Sequence, residues 1–169
     1  HAIQAAMLAA ETMADAALTA RLFESGVIEA AVARVQRAQT AETPVHVNVN
    51  RLTSQLLTGV ATTEEGRAKL KATAGLEDAL MWLLENGGDP IGIAENKTLA
   101  DPRGMAGLCM ALLRGREEDA QLALPGKVVR QIAAMIDTYS QMGAGLVLPY
   151  VQGLAELSVS DANKEHLGT

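Results

Sequence analysis

Residues able to do chemistry are sparse in this chain, and their spacing argues mostly against catalysis. The three histidines are His1, His46 and His166. No two share the i, i+4 spacing that sets metal ligands on one helical face, so no metal site is expected. Cys109 keeps helical spacing with Met105 and Leu112 and reads as a small buried hydrophobe, against the alternative of a nucleophile. Glu117-Glu118-Asp119 offers acid–base or cation chemistry, or else the first turn of a helix, where carboxylates suit the dipole. Gly143-x-Gly145 lacks the third glycine and the preceding strand of a phosphate loop and reads as a turn between helices. No catalytic residue and no cofactor is assigned, and the expectation is a protein that is not an enzyme.

Groups suited to binding are better represented. Asn48, Arg51 and Gln55 fall at i, i+3 and i+7. They lie opposite much of an apolar stripe formed by Val45, Val49, Leu52, Leu56 and Val60. Amides on such a face can pair with the backbone of an extended peptide, and the guanidinium can take a carboxylate through two parallel bonds. An ordinary solvated helix face is the alternative. Trp82 is a second candidate, since interface anchors are enriched in tryptophan. It sits on the flank of its stripe, so partial burial between helices competes with that reading. The seven methionines suit either an adaptable surface or core filling.

The elements that hold these residues are helices. Ile28, Ala31, Val32 and Val35 form one stripe; Leu76, Ala79, Leu80 and Leu83 a second; Val128, Ile132, Met135, Ile136 and Tyr139 a third. Each follows a glycine, at Gly26, Gly75 and Gly126, and each glycine follows a more polar segment. The glycines stand roughly 50 residues apart, slightly more than the roughly 40–47 of an armadillo or HEAT unit. The excess has homes in Gln39–Pro44 and Gly87–Pro102. A left-handed glycine ends one helix and lets the next cross it steeply.

A third helix follows in each unit. Thr43-Pro44 opens one to about Ala61, Asp101-Pro102 opens one to about Gly115, and another runs from about Leu146 to Leu157. A helix from about Ala2 to Ala14 takes that place at the start. Thr62-x-x-Glu65 reads as a capping box for the polar helix of the second unit. Val45–Asn50 alternates like a strand, but Leu52, Leu56 and Val60 continue a helical period, so the segment is expected to be helical.

Composition agrees with an all-α chain. Hydrophobic residues make up 49% of the 169 and aromatic residues only 2%, which favours closely packed helices over a sandwich of strands. The formal net charge of −6 disfavours duplex nucleic acid and anionic membranes, and no basic stripe offsets it. A single cysteine excludes an intrachain disulfide and fits a reducing compartment. No apolar run approaches the roughly 20 residues of a membrane span. Asn96-Lys97-Thr98 is a sequon of the kind that arises by chance. The expected location is cytoplasmic.

Leu154–Leu167 resembles the junction between the third helix of one armadillo repeat and the first helix of the next. Leu57–Leu70, with Glu64-Glu65-Gly66-Arg67, resembles the same junction. The resemblance covers nearly the whole chain, treated as one domain over 1–169 with approximate units 1–40, 41–89, 90–141 and 142–169. It implies a right-handed α-solenoid with two complete units flanked by partial ones, continuing past Thr169. It further implies a scaffold or adaptor that binds a partner peptide or domain along the concave wall of third helices. Partner-binding residues would be Asn48, Arg51, Gln55 and Trp82. Trp82-x-x-x-Asn86 has the spacing of the ladders in importin-type members but falls on a second helix, so that function is not carried over. Gln121–Arg130 looks somewhat like a stretch in UCS-type myosin chaperones, giving a myosin-directed chaperone as one alternative. A helical small-molecule-binding or catalytic domain is the other, and it would need a deep polar pocket.

Overall fold

The computed structural model describes residues 16–40, 47–87, 101–114, 125–140 and 144–167. They form helices α1 (Ala16–Glu24), α2 (Val27–Thr40), α3 (Val47–Ala61), α4 (Glu64–Lys71), α5 (Leu76–Asn86), α6 (Pro102–Arg114), α7 (Pro125–Ser140), α8 (Ala144–Leu157) and α9 (Asp161–Lys164). There is no strand among the described residues. The part of the alternating Val45–Asn50 run that is described is helical. The expected helix at Ala2–Ala14, the start at Thr43-Pro44, the acidic run at Glu117 and the polar segment before Pro125 lie outside the described residues.

Two of the three glycines act as hinges. Gly26 and Gly75 have φ of 69° and 74°. Gly26 turns α1 into α2, its N–H donating to the Phe23 carbonyl at 3.1 Å. Gly75 caps α5 and its carbonyl accepts from Ala79 N–H at 3.1 Å. Gly126 is different from the expectation: it lies inside α7, one residue after Pro125 opens that helix. Proline at the first helical position fixes φ and has no N–H to leave unpaired, so it suits the start of α7 and leaves Gly126 in the first turn.

The α3–α4 junction also departs by one residue. Thr63, not Thr62, is the cap, with extended φ and ψ of −98° and 150°, and its Oγ1 accepts from Gly66 N–H at 3.0 Å. The Thr62 hydroxyl donates to the Gly59 carbonyl at 2.7 Å, and Glu65 pairs with Lys69 at 2.9 Å rather than reaching back. The Thr62 hydroxyl is thus engaged by the last turn of α3, and Thr63 caps α4. A Cβ on Gly66 would lie 1.9 Å from the Val60 carbonyl oxygen, so only glycine lets the turn close here.

Helix α1 meets α4, α2 meets α5, α5 meets α7, α3 meets α6 and α6 meets α8. Within that set α6 is central, touching α3, α5, α7 and α8. Its burial is nearly complete and its residues are small: Gly104, Ala106, Gly107, Cys109 and Ala111 all lie in the core. A Cβ on Gly104 would fall 2.2 Å from Met135 Cγ. The three apolar stripes read from sequence are the core of α2, α5 and α7, with Ile136 only half-buried. Each fully buried leucine or isoleucine among them contributes about 1.5–3 kcal/mol relative to exposure.

Candidate functional site

Helix α3 carries the candidate face, and its surroundings decide which residues are available. Leu56, Leu57, Val60 and Ala61 are fully buried. So are the polar residues Asn50, Thr53, Ser54 and Thr58, which widen the buried face well beyond the expected valine–leucine stripe. Val49 and Leu52 of that stripe are only half-buried. The extra burial comes from α6, whose small residues let α3 lie close. Asn50 Nδ2 donates to the Gly87 carbonyl at 3.2 Å, and Thr58 Oγ1 donates to the Met105 carbonyl at 2.9 Å. These two bonds hold α3 at both ends of its contact with the next layer.

What remains accessible on α3 includes Arg51, Leu52 and Gln55, all half-buried. Arg51 Nη1 donates to Gln55 Oε1 at 2.9 Å, so two of the sequence-derived candidates form one unit. Asn48 lies in the first turn of the same helix, and its side chain is outside the described residues. Trp82 is elsewhere: it sits half-buried on α5, packed against the core, and its carbonyl accepts from Asn86 Nδ2 at 3.3 Å. The structure therefore brings Arg51 and Gln55 together and leaves Trp82 apart from them. The places matching this face on the next layer, Gly104, Gly107 and Ala111, are core positions covered by α7, α5 and α8.

Sequence reasoning missed the electrostatic coupling of two buried tyrosines to the cap of α6. Asp101 caps α6, its Oδ1 accepting from Arg103 N–H at 2.9 Å. The Arg103 guanidinium clamps the same carboxylate, with Nη2 to Oδ2 at 2.7 Å and Nε to Oδ1 at 3.1 Å. The hydrogen bond to Asp101 raises the Arg103 pKa. The rings of Tyr139 and Tyr150 stand 5.9 Å apart. Burial raises both phenol pKa values; Asp101 acts in the same direction on each, and Arg51 opposes it on Tyr139. Tyrosines at helical core spacing carry no mark that their hydroxyls end near a charged cap, so only the fold shows it.

The other chemical candidates are placed plainly. Cys109 is sealed in the α3–α6 contact, where burial pushes its thiol up to about 12, against a smaller lowering by its contact with Thr58. Among the described residues no group of three His, Cys, Asp or Glu could hold a metal ion. A cleft of about 290 Å³ between α4, α5 and α6 is floored by Leu70, Leu76 and Met110, and the Arg114–Glu77 ion pair at 2.8 Å closes one side. Among the described residues no helix is long and apolar enough to cross a membrane. No protein-family model, no curated protein and no solved structure matches the chain.

Proposed function

We propose that the chain is an armadillo-like α-solenoid that serves as a protein-binding scaffold, with a partner peptide or domain bound along its third-helix surface at the face that α3 leaves accessible. The observation that carries this reading is the rank-matched packing, α1 on α4, α2 on α5 on α7, and α3 on α6 on α8. That is how repeats sharing one supersecondary unit bury a continuous core by stacking on their neighbours. The Arg51–Gln55 pair supports the placement of the binding face, since it stays accessible beside the buried face of α3. The net charge of −6 supports a protein partner over nucleic acid.

Affinity capture from the source cytosol tests the reading. The wild-type chain is compared with an Arg51→Ala, Gln55→Ala double variant whose helical circular dichroism is intact. A partner held by the wild type and lost by the variant is the expected result. Identical partners for both would remove this face from the proposal.

A further inference from the structure

The contacts of α6 with its main neighbours differ in chemistry, and one of them is unlike the rest. Gly104 lies against Met135 of α7, Gly107 against Leu84 of α5, and Leu108 and Ala111 against Gly153 of α8. Closing those contacts removes hydrocarbon from water. The contact with α3 is largely polar. Asn50, Ser54 and Thr58 recur at i, i+4 and i+8, so they share one face of the helix. Asn50 Nδ2 and Thr58 Oγ1 donate to the carbonyls of Gly87 and Met105, which sets that face against the end of α5 and against α6. Ser54 stands between them, fully enclosed, and its hydroxyl finds no partner among the described residues. The neighbouring Thr53 hydroxyl is enclosed without a partner as well. Leu57 and Ala61 are the apolar members of this face.

A hydroxyl enclosed without a partner gives up its bonds to water and gains nothing in exchange, so it favours any state in which water returns to it. We infer that the α3–α6 contact is the joint at which this molecule opens short of unfolding, α3 parting from α6 while α6 keeps its contacts with α5, α7 and α8. The hydrogen bonds from Asn50 and Thr58 latch the joint, and the enclosed Ser54 hydroxyl works against them. The chain carries its own reporter of such an opening. Cys109 is its single cysteine, fully enclosed in the joint and in contact with Thr58. The inference stands apart from the binding-face reading, since it holds whether or not a partner lies against Arg51 and Gln55.

The test follows Cys109 in the whole chain with excess dithiobisnitrobenzoate, whose disulfide the thiolate attacks with release of coloured thionitrobenzoate. Labelling is measured across urea concentrations below the unfolding transition that circular dichroism defines. The urea slope of each process scales with the surface it exposes. Labelling is expected to run faster than global unfolding allows, with a clearly shallower slope. Ser54→Ala is expected to slow it about fivefold, and Thr58→Val to speed it about fivefold. Leu22→Ala, on α1 where it packs with α2 and α4, lowers global stability and should leave the labelling rate unchanged. Helical circular dichroism establishes that each variant is folded. Labelling only with the full unfolding slope, no labelling below the transition, or a rate that Leu22→Ala raises in step with its loss of stability would overturn the joint. So would a shallow slope indifferent to Ser54→Ala, which would put the opening elsewhere. Each of these outcomes leaves the binding face to be judged by the capture experiment.

Discussion

Thr58 and Thr53 sit five residues apart on α3, both buried, and face different fates. The Thr58 hydroxyl donates to the Met105 carbonyl and touches Cys109. The Thr53 hydroxyl and that of Ser54 have no partner. A buried polar group with a partner contributes about 1 kcal/mol, and one without is better removed. Thr58→Val is therefore expected to destabilise by about 1 kcal/mol in urea unfolding, while Thr53→Val should be neutral or stabilising by a similar amount. A loss of stability in Thr53→Val equal to that in Thr58→Val would show that its hydroxyl is satisfied in solution. At this scale the sequence was informative about Cys109, whose spacing with Met105 and Leu112 pointed to burial. It was silent about the electrostatic link of Asp101 to Tyr139 and Tyr150. They come from three separated segments, and no local period records such a meeting.

Helices and their ends were the most legible part of the chain, because period and glycine chemistry act over a few residues. The stripes of α2 and α5 are core throughout, and Asp101 caps α6 beside Pro102 as its type demands. Gly126 and Thr62 were misplaced for local reasons: a proline one residue earlier already started α7, and the Thr62 hydroxyl turns back to the last turn of α3 while Thr63 caps α4. The two hinge glycines make a matched pair for experiment. Both need a left-handed backbone, which costs an alanine about 1–2 kcal/mol. A Cβ at Gly26 meets nothing within 4 Å, whereas one at Gly75 would lie 1.9 Å from Gln36 Nε2. Gly26→Ala should thus lose about 1 kcal/mol and Gly75→Ala more, by thermal or urea unfolding, with part of the excess recovered by Gln36→Ala. Equal losses would mean that the α2–α5 contact yields without resistance.

Among the described residues α6 is the central helix, and the function is proposed to lie on the face of α3 that the packing leaves accessible. The all-helical class was legible from an aromatic-poor, alanine- and leucine-rich composition. The widened buried face of α3 was not, since it depends on the small residues of α6 at a distance of some fifty positions. The same packing leaves an asymmetry between α6 and α8. Ala111 and Leu108 of α6 are covered by α8, while α8 leaves Leu148 and Val151 56% and 47% exposed. The central claim is that a partner lies along the α3 face beside the start of α6. Amide hydrogen exchange on the chain with and without the captured partner tests it most directly. The account predicts added protection in α3 and at the amino end of α6, with α1 and α4 unchanged. Protection confined to α1 and α4 would contradict it.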